Sequence, residues 1–378
     1  MTCFVLNSIH RTKPASEFLR VSATLERQRN FTPDRPTTES LRLDMPQSQS
    51  FNVSPELDGK TVLAVLRAFL PGQSWSKIRQ RVTRSQVSVN EVPCLDEARR
   101  VATGDVVEIH ERSLEVPQPD DVRIAYIDPH LVVVEKPSGM MTHRRPEERD
   151  WSTAKKEKQP TLEESVSRLI VKRLQEAQGP RGRPSNRIPV LRIVHRLDRD
   201  TSGLLVIARS DEAEVNLVSQ FRRHTAHRVY WAIVHGHPLE ETIESNLVRN
   251  RGDGRRGSVN NPKVGQRAVT HVRPLESLGD YSLVECQLET GRTNQIRIHL
   301  SERGHLVCGD PKYRQPYAAE KIKDKSGAPR LALHAAELGF IHPITGEQLL
   351  FKMKFPNDLS AFYDRLRNPR SNYKRIGE

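Results

Sequence analysis

His195-Arg-Leu-Asp198-Arg-Asp200-Thr-Ser-Gly203 runs straight into Leu204-Leu-Val-Ile-Ala208. It sets two carboxylates, Asp198 and Asp200, with the side chains of His195, Arg196 and Arg199 between two apolar runs, 190–194 and 204–208. Short β-branched runs broken by Thr-Ser-Gly read as strand, turn, strand. Residues two apart on a strand share a face, so the two carboxylates would point the same way. Composition alone favours a solvated surface turn. Charge packed against core strand argues otherwise, because an ionised carboxylate taken out of water needs a partner. Paired carboxylates suggest acid–base work on a glycosidic bond, although sequence neighbours seldom reach the separation such hydrolases need. One carboxylate held ionised by a guanidinium fits better. With an ordinary pKa of about 3.9, an Asp beside an Arg stays charged and can serve as nucleophile or base. Arg196 and Arg297 are the available partners, and an ion pair in a domain core is more often structural than catalytic.

Toward the C-terminus, Ser210 or Asp211 can cap a helix carrying Leu217, Val218 and Phe221 and ending on Arg222, Arg223 and His224, where the helix dipole favours cations. The run 229–234 reads as a buried strand with Tyr230 between Val229 and Trp231. A buried tyrosine must find a partner for its hydroxyl, so Tyr230 is either a satisfied core residue or part of a site. Gly252-x-Gly254-x-x-Gly257 has dinucleotide-fingerprint spacing without the strand and helix that give the fingerprint its mechanism, and reads as a mobile basic loop. A strand at 283–288 leads into Glu289-Thr-Gly-Arg292-Thr-Asn294-Gln295-Ile-Arg297-Ile-His299, where a helix is expected over about 294–303 with Gly304 ending it. Strands at 332–334, 337–341 and 349–353 follow, the last two a hairpin around His342-Pro-Ile-Thr-Gly346.

Toward the N-terminus, a Gly-, Pro- and Arg-rich loop at 179–187 precedes the central stretch. Thr161-Leu-Glu-Glu164 is a capping box that starts a helix with Leu162, Val166, Leu169 and Ile170 inward. The polar run 144–158 reads as a surface insertion, and 123–127 with 131–135 as two strands. Further back, Val62, Leu63, Val65, Leu66 and Phe69 recur at helical spacing until Pro71-Gly72. A second helix, from Ser74 or Ser76, carries Lys77, Arg79, Arg81 and Arg84 around Ile78 and Val82, and short strands at 87–89 and 106–109 follow. Such a cationic face binds phosphates without reading sequence; a lone charge run is otherwise a solvated helix face.

The chain is too long for one ordinary core at 378 residues. Lys and Arg number 60 against 47 Asp and Glu, a net charge of +13 that suggests a polyanionic partner, nucleic acid ahead of anionic membrane. No apolar run approaches the roughly 18 residues of a spanning helix, and the first residues lack the flanks of a secretory signal. A soluble, cytoplasmic, monomeric protein with no membrane partner is expected. Cys3, Cys94, Cys286 and Cys308 show no Cys-x-x-Cys spacing, so reduced thiols are expected in place of a zinc site or disulfides.

Three stretches in order resemble the signature motifs of the RluA-type pseudouridine synthases: His195-Arg-Leu-Asp198-Arg-Asp-Thr-Ser-Gly203, Arg228-Val-Tyr230-Trp-Ala-Ile-Val-His-Gly236, and Thr290-Gly-Arg292-Thr-Asn294-Gln295-Ile-Arg297-Ile-His299. Gly309-Asp-Pro-Lys-Tyr313 and Leu333-His-Ala335 look like further landmarks, and the likeness spans about 120–358. The order of elements over 54–112 resembles the S4 RNA-binding domain, a common companion of that family. The resemblance implies that Asp198 is the catalytic aspartate, attacking the target uridine so that the base is detached, rotated and rejoined through carbon. It implies that Tyr230 packs on the base and assists proton removal, and that Arg297 salt-bridges Asp198. Arg196, Arg199, Arg292, Asn294 and Gln295 would contact the flipped nucleotide, and Lys77, Arg79, Arg81 and Arg84 the RNA backbone. Asn294 stands where many members carry His. No cofactor and no metal are implied.

The expected fold class is α+β: a catalytic domain with a mixed, mainly antiparallel sheet of the pseudouridine synthase type, preceded by a small α/β S4-like domain. Expected boundaries are a disordered extension at 1–53, the S4-like domain at 54–114, a linker at 115–120, the catalytic domain at 121–360 and a basic tail at 361–378. The expected activity is isomerisation of uridines in structured RNA, ribosomal ahead of transfer RNA. The alternatives are a non-catalytic S4-type RNA-binding or ribosome-assembly factor and a base-excising hydrolase. Asp200 is expected to be structural, helping Thr201 and Ser202 fix the turn.

Overall fold

The computed structural model describes residues 49–90, 92–114, 116–178, 189–252, 255–259, 261, 263–314 and 322–368. The expectations for 1–48, for the 179–187 loop and for the end of the basic tail lie outside them.

The first unit comprises β1 (Gln49–Asn52), α1 (Val62–Phe69), α2 (Trp75–Thr83), β2 (Val87–Val89), β3 (Val92–Pro93) and β4 (Val106–Ile109), with sheet order β1-β4-β2-β3. Thr61 and Ser74 cap the two helices, each hydroxyl accepting from a backbone amide three residues on (Ala64 at 3.2 Å and Lys77 at 3.3 Å). The helical spacing read from sequence puts Val62, Leu63, Val65 and Leu66 of α1 and Ile78 and Val82 of α2 into one core with Val87, Val89, Val107 and Ile109. Order begins earlier than expected: β1 lies inside the stretch assigned to the disordered extension. It is held by antiparallel pairing to β4 and by Phe51, whose ring stacks on Phe69 at 4.5 Å, a contact worth roughly 1 kcal/mol beyond its buried area.

The larger unit follows as β5 (Arg123–Ile127), β6 (Leu131–Lys136), α3 (Thr153–Lys158), α4 (Leu162–Gln178), β7 (Arg192–Ile193), β8 (Ser202–Ala208), α5 (Asp211–Arg222) and β9 (His227–His235). It continues with β10 (Glu241–Val248), β11 (Gly257–Val259), β12 (Gln266–Leu278), β13 (Tyr281–Leu288), α6 (Gln295–Glu302), β14 (Leu333–Ile341), β15 (Gln348–Lys352) and α7 (Asn357–Arg367). One sheet runs β11-β10-β12-β13-β9-β14-β8-β6-β5, with β15 added to β14 and β7 to β8. Among the described residues every pairing in this sheet is antiparallel except β8 with β14, so the expected mixed, mainly antiparallel sheet is what forms. The capping box is closed on both sides, Thr161 N to Glu164 Oε2 at 3.1 Å and Glu164 N to Thr161 Oγ1 at 3.4 Å. The central strands are buried on both faces, which is why they read as continuous apolar runs without alternation. Leu131, Val133, Leu204 and Val206 pack with Leu217 of α5, whereas Val132, Val134, Leu205 and Ile207 pack with Leu162, Val166 and Ile170 of α4.

Several elements escaped the sequence pattern, among them β10, β12 and α7. The strand β10 gives the core only Ile243 and Leu247, four residues apart, and a bulge between Pro274 and Glu276 breaks the two-residue period of β12. The helix α7 runs into the expected tail, where Phe362 joins Leu359 in the main core. That burial moves the end of the ordered domain to at least Arg367.

The register matters for function. Gly203 of β8 lies beside Ala335 of β14, Ala335 beside Tyr230 of β9, and Tyr230 beside Cys286 of β13. One row across four strands therefore joins the end of the first motif to the tyrosine of the second. Gly203 has φ of +124°, and a Cβ there would collide with the backbone of Ala335. A Gly203→Ala variant is expected to lose about 3 kcal/mol or more, to be read from urea denaturation; wild-type stability would show that the row can spread.

Candidate active site

The chain between β7 and β8 is held by its backbone, which leaves its side chains for other work. Lys136 Nζ donates to the carbonyls of Pro137, Met140 and Arg199 at 2.8–2.9 Å. Gly139 N also donates to the Arg199 carbonyl (2.8 Å), Ser138 Oγ to that of Asp200 (2.6 Å) and Thr142 Oγ1 to that of Leu197 (3.0 Å). Burial pushes the Lys136 ammonium down to about 7, against the pull of Asp200 and Asp198. His195 stacks on Phe221 at 4.2 Å, and its Nε2 accepts from Val206 N at 3.1 Å. Burial, with Arg228 adding to it, holds that imidazole down at about 3, so it is a neutral acceptor pinning the loop to β8.

Asp198, then, is not on a strand beside Asp200; both sit in the loop between β7 and β8. The Asp200 carboxylate pairs with Arg199 at 2.9 Å, so it does not brace Thr201 and Ser202 as expected. Thr201 N donates instead to the Asp198 carbonyl at 3.2 Å. Asp198 faces a cavity of about 420 Å³ whose wall includes Arg196, Arg228, Tyr230, Arg292, Asn294 and Arg297. All three sequence motifs meet there.

The expected Asp198–Arg297 salt bridge is absent. Arg297 is buried against Asp310 in a two-pronged pair, Nε to Oδ2 and Nη2 to Oδ1, both 2.7 Å. Burial opposes the Arg297 charge, yet Asp310, with Asp198 and Asp200 further off, holds its pKa above the ordinary arginine value. Burial likewise opposes the Asp310 charge, but Arg297 and the amides of Tyr313 and Lys312 keep that carboxyl below its ordinary value. Asp310 captures the guanidinium because, fully buried, it would otherwise be an uncompensated charge. Asp198 is oriented by a backbone donor: its Oδ2 accepts from Asn294 N at 3.2 Å.

Asn294 links these groups. It caps α6 in the left-handed region, φ 59° and ψ 19°, a conformation that asparagine tolerates better than most residues. This turns its amide toward Asp198, at the helix end whose dipole favours an anion. Its side chain accepts from Arg297 Nη1 (3.1 Å) and donates to Tyr313 Oη (3.0 Å). Asp310, Arg297, Asn294 and Asp198 thus form a continuous chain of contacts.

Tyr230 is 8% exposed, and its hydroxyl makes no hydrogen bond to a described residue. Burial pushes its pKa up to about 12, Arg228 working against the rise and Asp198 with it, so the ring is a neutral phenol at pH 7. Arg228, buried and 5.7 Å from the Phe221 ring, donates Nη2 to the Glu289 carbonyl at 2.6 Å and leaves Nε without a partner.

The other expected contacts divide. Arg196 is exposed at the cavity and makes no hydrogen bond or ion pair to a described residue. Arg292 lines the same cavity while its Nε donates to the Arg267 carbonyl at 3.1 Å. Arg199 does not reach the cavity: tied to Asp200, it faces a separate cleft behind the loop. Gln295 lines the wall but has no hydrogen-bonding capacity left, because its amide bonds Thr290, Arg292 N, the Val269 carbonyl and Thr270. On the first unit, Lys77, Arg79 and Arg84 are exposed along α2 and its C-cap, with Arg79 paired to Glu97 at 3.1 Å, while Arg81 is half-buried. Sequence reasoning gave Asp310 no role; the Gly309–Tyr313 landmark was the available signal.

The arrangement presents an oriented carboxylate, a neutral phenol with an aromatic face, and unpaired cationic donors around a base-sized cavity. Residues 130–302, from β6 through α6, match a family described as RNA pseudouridylate synthase. The chain is similar to the ribosomal large subunit pseudouridine synthase D of Zymomonas mobilis, 40% identical over 254 residues, covering 66% of this chain and 74% of that protein. It is also similar to an uncharacterized RNA pseudouridine synthase, YlyB, of Bacillus subtilis, 36% identical over 303 residues, covering 78% and 90%. A ribosomal large subunit pseudouridine synthase D of Neisseria meningitidis serogroup B is 34% identical over 323 residues, covering 82% of this chain and 80% of its own length.

Proposed function

The chain belongs to the RNA pseudouridylate synthase family, whose members isomerise uridine in RNA, and from that premise we propose that it acts on large-subunit ribosomal RNA with Asp198 as its nucleophile. The observation that carries the assignment of Asp198 is its position: a carboxylate turned into the shared cavity by the amide of Asn294, within the electrostatic reach of Tyr230 and Arg297. The ribosomal substrate rests on the names of two of the relatives.

The chemistry conserves every atom. Asp198 attacks the target nucleotide and bonds to it as the N-glycosidic bond breaks, the base turns while held against the Tyr230 ring, and a carbon–carbon bond then closes as the bond to Asp198 breaks and frees the carboxylate. The proton lost from that carbon ends on the vacated nitrogen, and Tyr230 is the group placed to assist the transfer. The target must leave its stack to enter this cavity, and Arg196, exposed in its wall and without a hydrogen bond or ion pair to a described residue, is placed to meet it. The small first unit serves as the S4-like RNA-binding domain, with Lys77, Arg79 and Arg84 on the outer face of α2. All three motifs come from one chain, which supports a monomer, and we take the site of action to be the cytoplasm.

The test is to map pseudouridines in ribosomal and transfer RNA with and without the protein. Loss of specific large-subunit positions supports the reading; an unchanged map, or release of free uracil, overturns it. In the same assay Tyr230→Phe keeps the stacking face and removes the hydroxyl. It is expected to lower kcat by about a hundred- to ten-thousand-fold with little change in KM. Full activity would remove the phenol from proton transfer.

A further inference from the structure

The insertion 144–158 lies outside every motif, yet it is firmly anchored. Arg144 pairs with Glu164 of α4 at 2.6 Å and donates to the Gln159 carbonyl at 2.9 Å, and Lys155 pairs with Asp96 of the first unit at 2.6 Å. Both cations lie over the Trp151 ring, at 5.4 and 4.5 Å. The side chains of two further cations, Arg149 and Lys156, make no hydrogen bond or ion pair to a described residue. They line an open cleft of about 550 Å³ with His143, Glu163, Glu164 and Ile193.

That cleft is tied to the active-site loop: His143 follows Thr142, whose Oγ1 donates at 3.0 Å to the carbonyl of Leu197, the residue between Arg196 and Asp198. His143 Nδ1 is buried without a partner. Burial first, then the charges of Arg196 and Arg149, holds that ring below its ordinary pKa. Arg144 and Glu164 satisfy each other, so Arg149 and Lys156 face one carboxylate, Glu163, with Arg196 adding a third cation from the cavity side. An arm held by these contacts, whose Arg149 and Lys156 side chains make no hydrogen bond or ion pair to a described residue, is suited beside a site for a flipped nucleotide to the phosphates on either side of that nucleotide.

Resting on the RNA synthase reading, we infer that His143, Arg149 and Lys156 form a subsite for a backbone phosphate of the RNA strand flanking the target uridine. The insertion then sets how the strand is aligned, without reading its bases.

The experiment uses the full chain and a large-subunit ribosomal RNA transcript, comparing an Arg149→Gln/Lys156→Gln variant with Lys172→Gln/Arg173→Gln, which removes the same charge from the exposed face of α4. Affinity by fluorescence anisotropy and steady-state kinetics are measured over a range of salt. The insertion variant is expected to bind about tenfold or more weakly and to raise KM in parallel, with kcat within twofold. The slope of log affinity against log salt should shrink by about 0.7–1 per lost phosphate contact, while the control stays near wild type. Unchanged affinity and slope, an equal loss in the control, or a fall in kcat alone would overturn the subsite. A wild-type protein that binds the transcript but makes no pseudouridine would defeat the synthase reading instead, and the binding slopes would still decide the subsite.

Discussion

Asp198→Asn is expected to abolish pseudouridine formation, a loss on the order of a million-fold if the residue is the nucleophile, while RNA affinity stays within about threefold of wild type. The amide has the size of the carboxylate and can still accept from Asn294 N through its oxygen, so the loop, anchored through its own carbonyls by Lys136, Ser138 and Thr142, should not move. What disappears is the negative charge and the nucleophilic oxygen. The cost in stability is bounded by the anion's interaction with the N-terminus of α6, about 0.3–1 kcal/mol. Single-turnover assays on transcribed ribosomal RNA, beside an anisotropy titration of the same RNA, separate chemistry from binding. Retained modification by the variant would sink the mechanism, and loss of binding would mean that the carboxylate holds the site together.

Asp310→Asn should produce the largest structural effect. Asp310 is completely buried and gives both oxygens to Arg297, itself 5% exposed. Neutralising one partner leaves a buried guanidinium uncompensated, which costs about 3–5 kcal/mol. The effect should also reach turnover, because Arg297 fixes the Asn294 side chain and the Asn294 amide orients Asp198. An Asp310→Leu/Arg297→Met double variant removes both charges and should recover most of the stability while kcat remains low. Thermal denaturation and single-turnover rates on both variants test this. Wild-type stability of Asp310→Asn would show that the pair is weak. Full turnover by the double variant would show that Asp198 needs neither the pair nor the chain of contacts behind it.

Much of the site was legible because its motifs are local. The turn before Gly203, the strand carrying Tyr230 and the helix starting after Asn294 each announce themselves through short-range physics: β-branched runs, a glycine where φ is positive, and a helix start. The meeting of Asp198 and Tyr230 at one cavity was not legible, because it depends on β14 lying between β8 and β9 and setting the row from Gly203 to Cys286. The strands β10 and β12 were hidden because one gives few apolar residues to the core and a bulge breaks the period of the other. The order in β1 and α7 was hidden because short segments are ordered by the core they join.

From its own pattern the sequence determined the elements around the site, the carboxylate, phenol and guanidinium to be considered, and the family they belong to. Tertiary structure alone decided the pairings. Sequence offered Arg297 a choice of carboxylates, and the structure gives it Asp310, leaving Asp198 to a backbone amide; it also ties Arg199 to Asp200 and uses up Gln295 inside the wall. The reason is that electrostatic partnership depends on distance and desolvation, both set by packing between segments far apart in the chain, whereas propensity and periodicity act within a few residues.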